Sequence, residues 1–278
     1  MRYLALEGGI GRLEDDGTVA VLGAGTTLAV YLEAGGRLAD LAGVAVVDRT
    51  PLDGLALGPV TLPAATTWGI GLNYRSKQEA TGRSLPDRPT LFSKAASACP
   101  RPGGPIRIPP TAPACVDYEG EIAVVLQSPL FDSSPQEAAA AVGAVAAAND
   151  VTARDVMRET GNPSLAKSFP GFGQLGSAVI DPAESGGFDA ISLRTSVNGG
   201  ERQSDTGAGM ILPVGDLLSL LSRHVLLRPG DVVLTGTPAG TGDETKTYLG
   251  PGDVVEVAIA GLPALRSPVV DGRAGQPG

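Results

Sequence analysis

A pair of glutamates leads directly into an apolar strand where residues 116–126 read Val116-Asp117-Tyr118-Glu119-Gly120-Glu121-Ile122-Ala123-Val124-Val125-Leu126. Side chains alternate between the two faces of a strand, so Glu119 and Glu121 are predicted to point the same way. Burying two neighbouring carboxylates is costly unless a cation neutralises them. A solvated strand face is the ordinary explanation of such a pair, but the apolar run that follows favours a core strand.

A third carboxylate follows in residues 149–155, which read Asn149-Asp150-Val151-Thr152-Ala153-Arg154-Asp155. Asp150 comes directly after an apolar run, at the end of an element, where its side chain can close over Glu119 and Glu121. Three carboxylates form a hard, all-oxygen site suited to Mg²⁺, Mn²⁺ or Ca²⁺. Asp117 shares the face of the glutamates and could support these ligands.

The composition predicts a folded, acidic protein. Apolar residues make up 42% of the 278 residues and charged residues 18%, which is typical of a globular chain. The net charge of −9 argues against nucleic acid and anionic membrane surfaces as partners. Any anionic substrate therefore needs a site where a metal and nearby basic residues reverse the local field.

The chain also lacks the marks of a secreted or membrane protein. Residues 1–17 contain no apolar segment of the kind found in signal peptides. No apolar run approaches the roughly 18 residues that a membrane span requires, and the alanine-rich stretch 138–148 is too short. Cys99 and Cys115 fit neither a disulfide framework nor a zinc spacing. We therefore expect a soluble cytoplasmic protein with two reduced thiols.

Short strands separated by turns dominate the pattern, as the 39 glycines and 23 prolines suggest. The sequence predicts a small N-terminal lobe (residues 1–65), a larger domain (66–272) and a flexible polar tail (273–278). The larger domain is strand-dominated with few helices. A mixed α+β, rolled-up β structure is therefore favoured over a doubly wound sheet.

Local patterns predict several individual elements. We expect an alanine-rich helix at Pro135–Ala147, passing into a strand over Ala144–Asn149, and a hairpin whose Asn-Gly turn supplies positive φ. The remaining expectations are a helix at Thr27–Ala34, an amphipathic helix at Val214–Ser222, an N-cap at Ser134, and an N-cap at Asn73 for a helix through Thr81.

Basic residues and one glycine-containing loop are the remaining candidates for chemistry. Lys167 and Arg154 could hold or polarise an anionic substrate, although each could also be an ordinary exposed or ion-paired side chain. The segment 234–240 could present hydroxyl and N–H groups to an oxyanion, or it could be a plain turn. His224, the only histidine in the sequence, is predicted to be structural at a helix end.

These motifs together resemble the fumarylacetoacetate hydrolase superfamily. Eight stretches match in order between about residues 66 and 270, and this makes the resemblance specific. They are Gly69–Arg75, Leu91–Lys94, Val116–Glu121, Asn149–Asp155, Lys167–Phe169, Gln203–Thr206, Pro229–Gly240 and Pro251–Glu256.

The resemblance implies a β-sandwich roll with a small N-terminal lobe, usually in a homodimer. It implies Mg²⁺, Mn²⁺ or Ca²⁺ on the three carboxylates, with a 2-oxo acid or 1,3-dicarbonyl as the chelated substrate. It also implies that Lys167 and Arg154 stabilise an enolate or oxyanion. Substrate contacts would come from Tyr74, Thr237 and the neighbouring Gly236.

The chain departs from the family at the water-activating residue. Hydrolytic members use a histidine–glutamate pair near the Asn-Tyr segment, where no histidine stands here. One alignment register puts Lys77 at the histidine position and another puts Glu79 there. A glutamine that often supplies an oxyanion donor is replaced by Met157.

Losing the histidine weakens hydrolysis more than enolate chemistry, because hydrolysis needs a base that activates water. The favoured expectation is a metal-dependent decarboxylase, isomerase or dehydratase that works through an enolate held by the metal. One alternative is an acylpyruvate-type hydrolase that uses Glu79 as its base. An alternative from another class is a catalytically silent binding protein that keeps the metal.

Overall fold

Strands dominate the computed structural model, which describes residues 1–85 and 89–273. The strands are β1 (Arg2–Leu6), β2 (Gly9–Leu13), β3 (Thr18–Leu22), β4 (Val46–Pro51), β5 (Thr67–Gly71), β6 (Thr90–Lys94), β7 (Ile106–Ile108), β8 (Val116–Asp117), β9 (Gly120–Leu126), β10 (Val142–Asp150), β11 (Thr152–Ala153), β12 (Gly173–Ile180), β13 (Ser192–Val197), β14 (Gly200–Thr206), β15 (Val232–Leu234), β16 (Val254–Ile259) and β17 (Leu265–Asp271). The predicted mixed, strand-dominated class is confirmed.

The helices are short and lie between these strands. They are α1 (Leu28–Glu33), α2 (Arg75–Thr81), α3 (Pro135–Ala140), α4 (Arg154–Thr160), α5 (Pro163–Ala166), α6 (Val214–Ser222) and α7 (Gly242–Thr245), with 3-10 turns at Leu38–Gly43, Ala96–Ala98, Pro182–Ser185, Phe188–Ala190 and Gly207–Gly209.

Two sheets pack against each other around the main hydrophobic core. The larger sheet has the order β4-β3-β2-β1-β12-β10-β9-β15-β5-β6, and the smaller one has the order β14-β13-β16-β17-β7. The pairing is antiparallel next to β9, whereas β15 and β5 run parallel. A separate two-stranded pair is formed by β8, which precedes Glu119, and β11, which follows Asp150.

Strand β9 lies at the centre of the molecule and is buried on both faces. Ile122 and Val124 contribute to the core shared with the smaller sheet. Ala123 and Val125 point the other way, into a second core under the N-terminal strands. The core strand predicted from the apolar run after Glu121 is therefore present, with apolar partners on both faces.

The N-terminal strands extend the larger sheet, since β1 pairs antiparallel with β12 and places Tyr3 opposite Val179. Helix α1 covers the same face and buries Leu28 and Leu32 in the second core. The first 65 residues therefore share both a sheet and a core with the rest of the chain. The predicted boundary between the lobes remains a prediction.

Most of the predicted local elements form, with two corrections. Helices α1 and α6 appear as expected, Ser134 caps α3 in a capping box, and the hairpin turns at Asn198 with φ of 54°. The alanine-rich helix, however, ends at Ala140, and Val142–Asp150 form a central strand instead. Pairing with β9 and β12 on both sides outweighs the helix propensity of alanine.

The second correction concerns Asn73, which does not cap α2. Tyr74 occupies the N-cap position and makes no capping hydrogen bond with its side chain. Asn73 instead donates from Nδ2 to the carbonyl oxygens of Leu212 and Thr235, at 3.1 and 2.8 Å. Its amide therefore ties two distant segments together at the end of β15.

Within residues 1–85 and 89–273, no helix combines the length and apolar character needed to cross a membrane. Of the predicted flexible tail, residues 274–278 lie outside the part of the chain that the structure describes.

Candidate active site

Three buried carboxylates meet where β9 and β10 lie side by side. One oxygen from each of Glu119, Glu121 and Asp150 lies within 4.8 Å of the others. The antiparallel register sets Ala148 opposite Glu121, and the backbone N–H of Asp150 donates to the carbonyl of Glu119 at 2.8 Å. The structure thus brings together the three residues that the sequence proposed as metal ligands.

The electrostatics of this cluster fit a divalent cation. Burial and the neighbouring charges of Asp150 and Glu119 raise the pKa of Glu121 well above its usual range. Its carboxylate accepts one hydrogen bond from the backbone N–H of Gly236 at 2.7 Å. Glu121 makes no ion pair among the described residues, and together with Glu119 and Asp150 it offers the all-oxygen ligand set that Mg²⁺, Mn²⁺ and Ca²⁺ prefer. The residues present therefore fit a divalent cation.

Glu119 is held in its ionised form by the cations around it. Burial alone would raise the pKa of Glu119, but Arg154, Lys167 and Lys77 outweigh burial and keep that pKa well below its usual range. Lys167 Nζ donates to Glu119 Oε2 at 2.6 Å, and Arg154 Nη2 donates to Glu119 Oε1 at 2.5 Å. This side of the cluster is therefore electrostatically balanced.

Arg154 links the carboxylate cluster to a fourth buried carboxylate, that of Asp117. Its Nε donates to Asp117 Oδ2 at 2.8 Å, while its Nη2 holds Glu119. Asp117 also accepts the backbone N–H groups of Gly242 and Asp243, at 2.6 and 3.0 Å, at the start of α7. Asp117 therefore fixes the orientation of Arg154 and Arg154 fixes that of Glu119.

Lys167 stands between two of the carboxylates at the end of α5. Its Nζ donates to Glu119, to Asp150 Oδ2 and to Thr152 Oγ1. Burial lowers the pKa of this lysine, but the charges of Asp150 and Glu119 are stronger and raise it overall. The ammonium group is therefore charged and lies 4.9 Å above the ring of Phe92.

Lys94 belongs to the same charge network, although its role was not predicted. Its Nζ donates to Asp150 Oδ1 from a fully buried position at the end of β6. Burial is the main influence on the pKa of Lys94 and lowers it despite the attraction of Asp150. The sequence did hold a signal for Lys94: it lies two residues after Phe92, so both side chains point to the same face of a strand.

Of the two candidates for the missing histidine, Lys77 reaches the site. Its Nζ donates to Glu244 Oε1 at 2.8 Å and to Thr241 Oγ1 at 3.1 Å, and it lies 3.9 Å from Glu119 Oε1. Glu79, two residues further along α2, is exposed. Positions two apart on a helix face in nearly opposite directions, so only one of these side chains can face the carboxylates.

Glu244 was not identified from the sequence. Burial raises its pKa, but the N–H of Gly240 and the ammonium of Lys77 outweigh burial and lower it. It therefore stands as an ionised partner beside Lys77. Its position on the short helix α7, far from residue 77 in the chain, left no local pattern by which the sequence could reveal it.

Of the three predicted substrate-binding residues, Thr237 lines the cavity, whereas Gly236 and Tyr74 do not. Thr237 lines the cavity next to the carboxylates and donates from Oγ1 to the carbonyl of Gly120 at 2.8 Å. Gly236 uses its N–H to hold Glu121. Tyr74 is fully buried outside the cavity lining, and its hydroxyl has no hydrogen-bond partner. Burial and the charge of Glu121 raise the pKa of Tyr74.

The cavity that contains these groups has a volume of about 440 Å³. Apolar walls come from Ile70, Leu72, Phe92, Met157 and Pro163, and positive charge comes from Lys77, Arg83, Arg154, Arg158 and Lys167. Although the chain has a net charge of −9, five basic residues line this cavity against three acidic ones, Glu119, Glu121 and Asp243, which agrees with the local excess of basic residues expected for an anionic substrate. His224 is exposed and lines a different depression in the surface.

Comparison with known proteins agrees with the fold. Residues 66–270 match the family described as fumarylacetoacetate (FAA) hydrolase C-terminal. A 2,4-didehydro-3-deoxy-L-rhamnonate hydrolase from Sphingomonas sp. is 30% identical over 95% of this chain and 92% of its own length. A mitochondrial oxaloacetate tautomerase from Homo sapiens is 32% identical over 88% of this chain and 80% of its own.

A solved structure extends the similarity to the whole chain. The 5-carboxymethyl-2-hydroxymuconate delta-isomerase from Mycobacterium smegmatis superposes with a TM-score of 0.77 at 29% identity, covering 99% of this chain and all of the other. The similar proteins thus carry out hydrolysis, tautomerisation and isomerisation on the same scaffold.

Proposed function

The chain belongs to the fumarylacetoacetate hydrolase family and is an enzyme, and we propose that it acts on a 2-oxo acid or 1,3-dicarbonyl substrate with the help of a divalent cation. The observation that carries the proposal is the buried cluster of Glu119, Glu121 and Asp150, which could bind a metal. Mg²⁺ is the favoured ion, with Mn²⁺ or Ca²⁺ as alternatives, because all three ligands are oxygens. When bound, the cation would chelate the two oxygens of the keto acid and stabilise its enolate.

Two cations of the chain are suited to the developing negative charge. Lys167 and Arg154 both line the cavity and are already oriented by the carboxylates. Such fixed charges need no rearrangement as the enolate oxygen forms. At the mouth of the same cavity, the exposed Arg83 and Arg158 favour a substrate that carries at least one carboxylate.

We assign proton transfer to Lys77, which faces the cavity where hydrolytic members carry histidine. Glu244 and Thr241 accept hydrogen bonds from its Nζ and hold it in place. A positioned acid–base group at this point suits the movement of a proton to or from the carbon next to the carbonyl. Isomerisation, decarboxylation or dehydration is therefore favoured over hydrolysis.

The alternatives receive less support. A hydrolase that uses Glu79 would need that side chain in the cavity, but it is exposed and does not line it. A catalytically silent protein is disfavoured because the similar proteins named above are enzymes. Two of those three are named as a tautomerase and an isomerase, which agrees with the favoured class.

Turnover of a substrate panel tests the proposal. The purified enzyme would be incubated with Mg²⁺ and oxaloacetate, acylpyruvates or 2-oxo-3-deoxy sugar acids, with a metal-free sample as control. Metal-dependent keto–enol conversion, release of CO₂ or loss of water supports enolate chemistry. Paired acid products with incorporation of solvent oxygen support hydrolysis instead. Full activity after metal removal contradicts both.

We also propose that the enzyme is a homodimer, as the family resemblance implies. Light scattering on the purified protein gives its mass in solution, and a value of twice the 28.0 kDa chain mass is expected. A monomer mass across the accessible concentration range contradicts the proposal.

A further inference from the structure

A second cavity lies beside the end of β10, separate from the one that holds the metal-binding carboxylates. Its volume is about 230 Å³, and its walls include Val60, Leu62, Leu175 and Leu234. An apolar cavity of roughly 150 Å³ is already large enough to bind benzene. This space can therefore hold a small ring or branched aliphatic group.

One polar side chain in this cavity lacks a partner. Asn149 lines the cavity and is 1% exposed. Its Oδ1 accepts the backbone N–H of Glu119 at 2.9 Å, which fixes the orientation of the amide. Its other end, Nδ2, is buried and makes no hydrogen bond. A buried donor without a partner is unfavourable, and an acceptor oxygen on a bound molecule would satisfy it.

The charges around the cavity indicate which kind of acceptor fits. Lys94 and Arg101 line it and are positive, whereas no aspartate or glutamate is among its lining residues in the described chain. Lys94 is already paired with Asp150, and Arg101 is exposed and paired with Glu7. No lining acid therefore opposes a carboxylate at the free donor of Asn149, and Arg101 has donors beyond the one that holds Glu7.

We propose that this cavity is a second binding site, for a small apolar carboxylate such as an aromatic or branched aliphatic acid. The apolar part would fill the space between the segment 60–65 and β12, and one carboxylate oxygen would accept a hydrogen bond from Asn149 Nδ2. The site is distinct from the metal cluster, although Asn149 connects the two through the backbone of Glu119.

Fluorine NMR titration of the metal-free enzyme with 4-fluorobenzoate tests the proposal. Saturable binding is expected, and fluorobenzene, which lacks the acceptor, should bind about tenfold more weakly. Equal affinity for the two compounds, or absence of saturable binding, overturns the proposal.

Two matched variants locate the binding. Ala65→Phe fills the second cavity, and Met157→Phe fills the cavity with the carboxylates. At least a tenfold loss of affinity is expected in Ala65→Phe and no loss in Met157→Phe. The reverse pattern would assign the ligand to the metal cavity and overturn the proposal.

Cysteine protection gives a measurement on the unaltered protein, should Ala65→Phe fail to fold. Cys99 lines the second cavity, whereas Cys115 lies outside its lining. Bound 4-fluorobenzoate should slow alkylation of Cys99 by N-ethylmaleimide and leave Cys115 unchanged, as read by peptide mass mapping. Unchanged alkylation of Cys99 at saturating ligand contradicts the proposal.

Discussion

Glu121 is the carboxylate of the cluster that has the least compensation. Among the described residues, Glu119 pairs with three cations and Asp150 with two, but Glu121 makes no ion pair. Its carboxylate accepts a hydrogen bond from the backbone N–H of Gly236. A buried charge without a partner lowers the stability of the metal-free protein. The same charge should strengthen the binding of a cation, so Glu121 is expected to increase metal affinity at the expense of metal-free stability.

Replacing Glu121 by glutamine should separate those two effects. Glu121→Gln keeps an oxygen for the N–H of Gly236 but removes the charge. We expect metal affinity to fall roughly 100-fold or more and the metal-free protein to keep or raise its melting temperature. Calorimetric titration with Mn²⁺ and thermal unfolding in chelator measure both. Glu159→Gln, at an exposed position, is the matched control. Wild-type Mn²⁺ affinity in Glu121→Gln would show that Glu121 is not a metal ligand.

Lys77 and Glu79 offer a direct test of the proton carrier. Lys77→Gln should lower kcat by about 100-fold or more, because a positioned acid–base group contributes that much. Glu79→Gln should keep the wild-type rate because its side chain is exposed. Steady-state kinetics, with Mn²⁺ affinity measured in parallel, distinguish lost chemistry from lost metal. Full activity in Lys77→Gln would assign proton transfer to another group.

At the scale of elements, the contact between Lys77 and Glu244 joins α2 to α7. These helices come from distant parts of the chain, and each is too short to be stable alone. The Lys77–Glu244 pair holds both helices next to Glu119, which precedes β9. Positioning of the proton carrier and local stability therefore depend on the same contact.

The pH dependence of stability should reveal this contact. Glu244 has a lowered pKa in the folded protein, so its contribution is fully present above the usual glutamate range and is lost as the pH falls from that range down through the lowered pKa. Glu244→Gln should cost about 1–2 kcal/mol of unfolding free energy at pH 7, a value discounted for its partial exposure. Urea unfolding between pH 3 and pH 7 should show the difference from wild type disappearing toward the acid end. A difference that is constant with pH would contradict the assignment.

Gly120 is the point where β9 touches the second sheet. A Cβ at this position would lie 1.9 Å from Thr195 Oγ1 and 3.2 Å from Thr195 Cβ. Gly120→Ala should therefore cost about 3 kcal/mol of unfolding free energy through overpacking. The hydroxyl of Thr195 has no hydrogen-bond partner, so adding Thr195→Ala should recover part of that loss. Gly200→Ala, whose Cβ would meet its nearest neighbour at 3.4 Å, is the control for chemical denaturation.

At the scale of the whole molecule, one sheet runs through both predicted lobes. Residues 1–65 contribute β1 to β4 to the larger sheet, and their side chains share a core with β9, β10 and β12. Removing them would expose Ala123 and Val125 on β9, the strand that continues from the carboxylate cluster. The two predicted lobes are therefore successive parts of the chain that share one sheet, and we expect them to unfold together.

Calorimetric unfolding should accordingly give a single transition. The ratio of calorimetric to van't Hoff enthalpy should lie near that of one cooperative unit. A fragment that begins at residue 66 should fail to fold, because it leaves the second core open. Two resolved transitions, or a folded fragment, would show that the N-terminal segment is a separate domain.

The sequence alone was sufficient for the fold class, the three carboxylates and the family, because strand periodicity and motif order are local properties of the chain. It placed the end of the alanine-rich helix at Ala147 instead of Ala140, because the strand from Val142 onward is decided by hydrogen bonds to β9 and β12. Only the tertiary structure distinguished Lys77 from Glu79, identified Glu244 and Lys94, and revealed the second cavity. Each of these depends on side chains from distant segments that meet when the chain folds, and such contacts leave no periodic signal in the sequence.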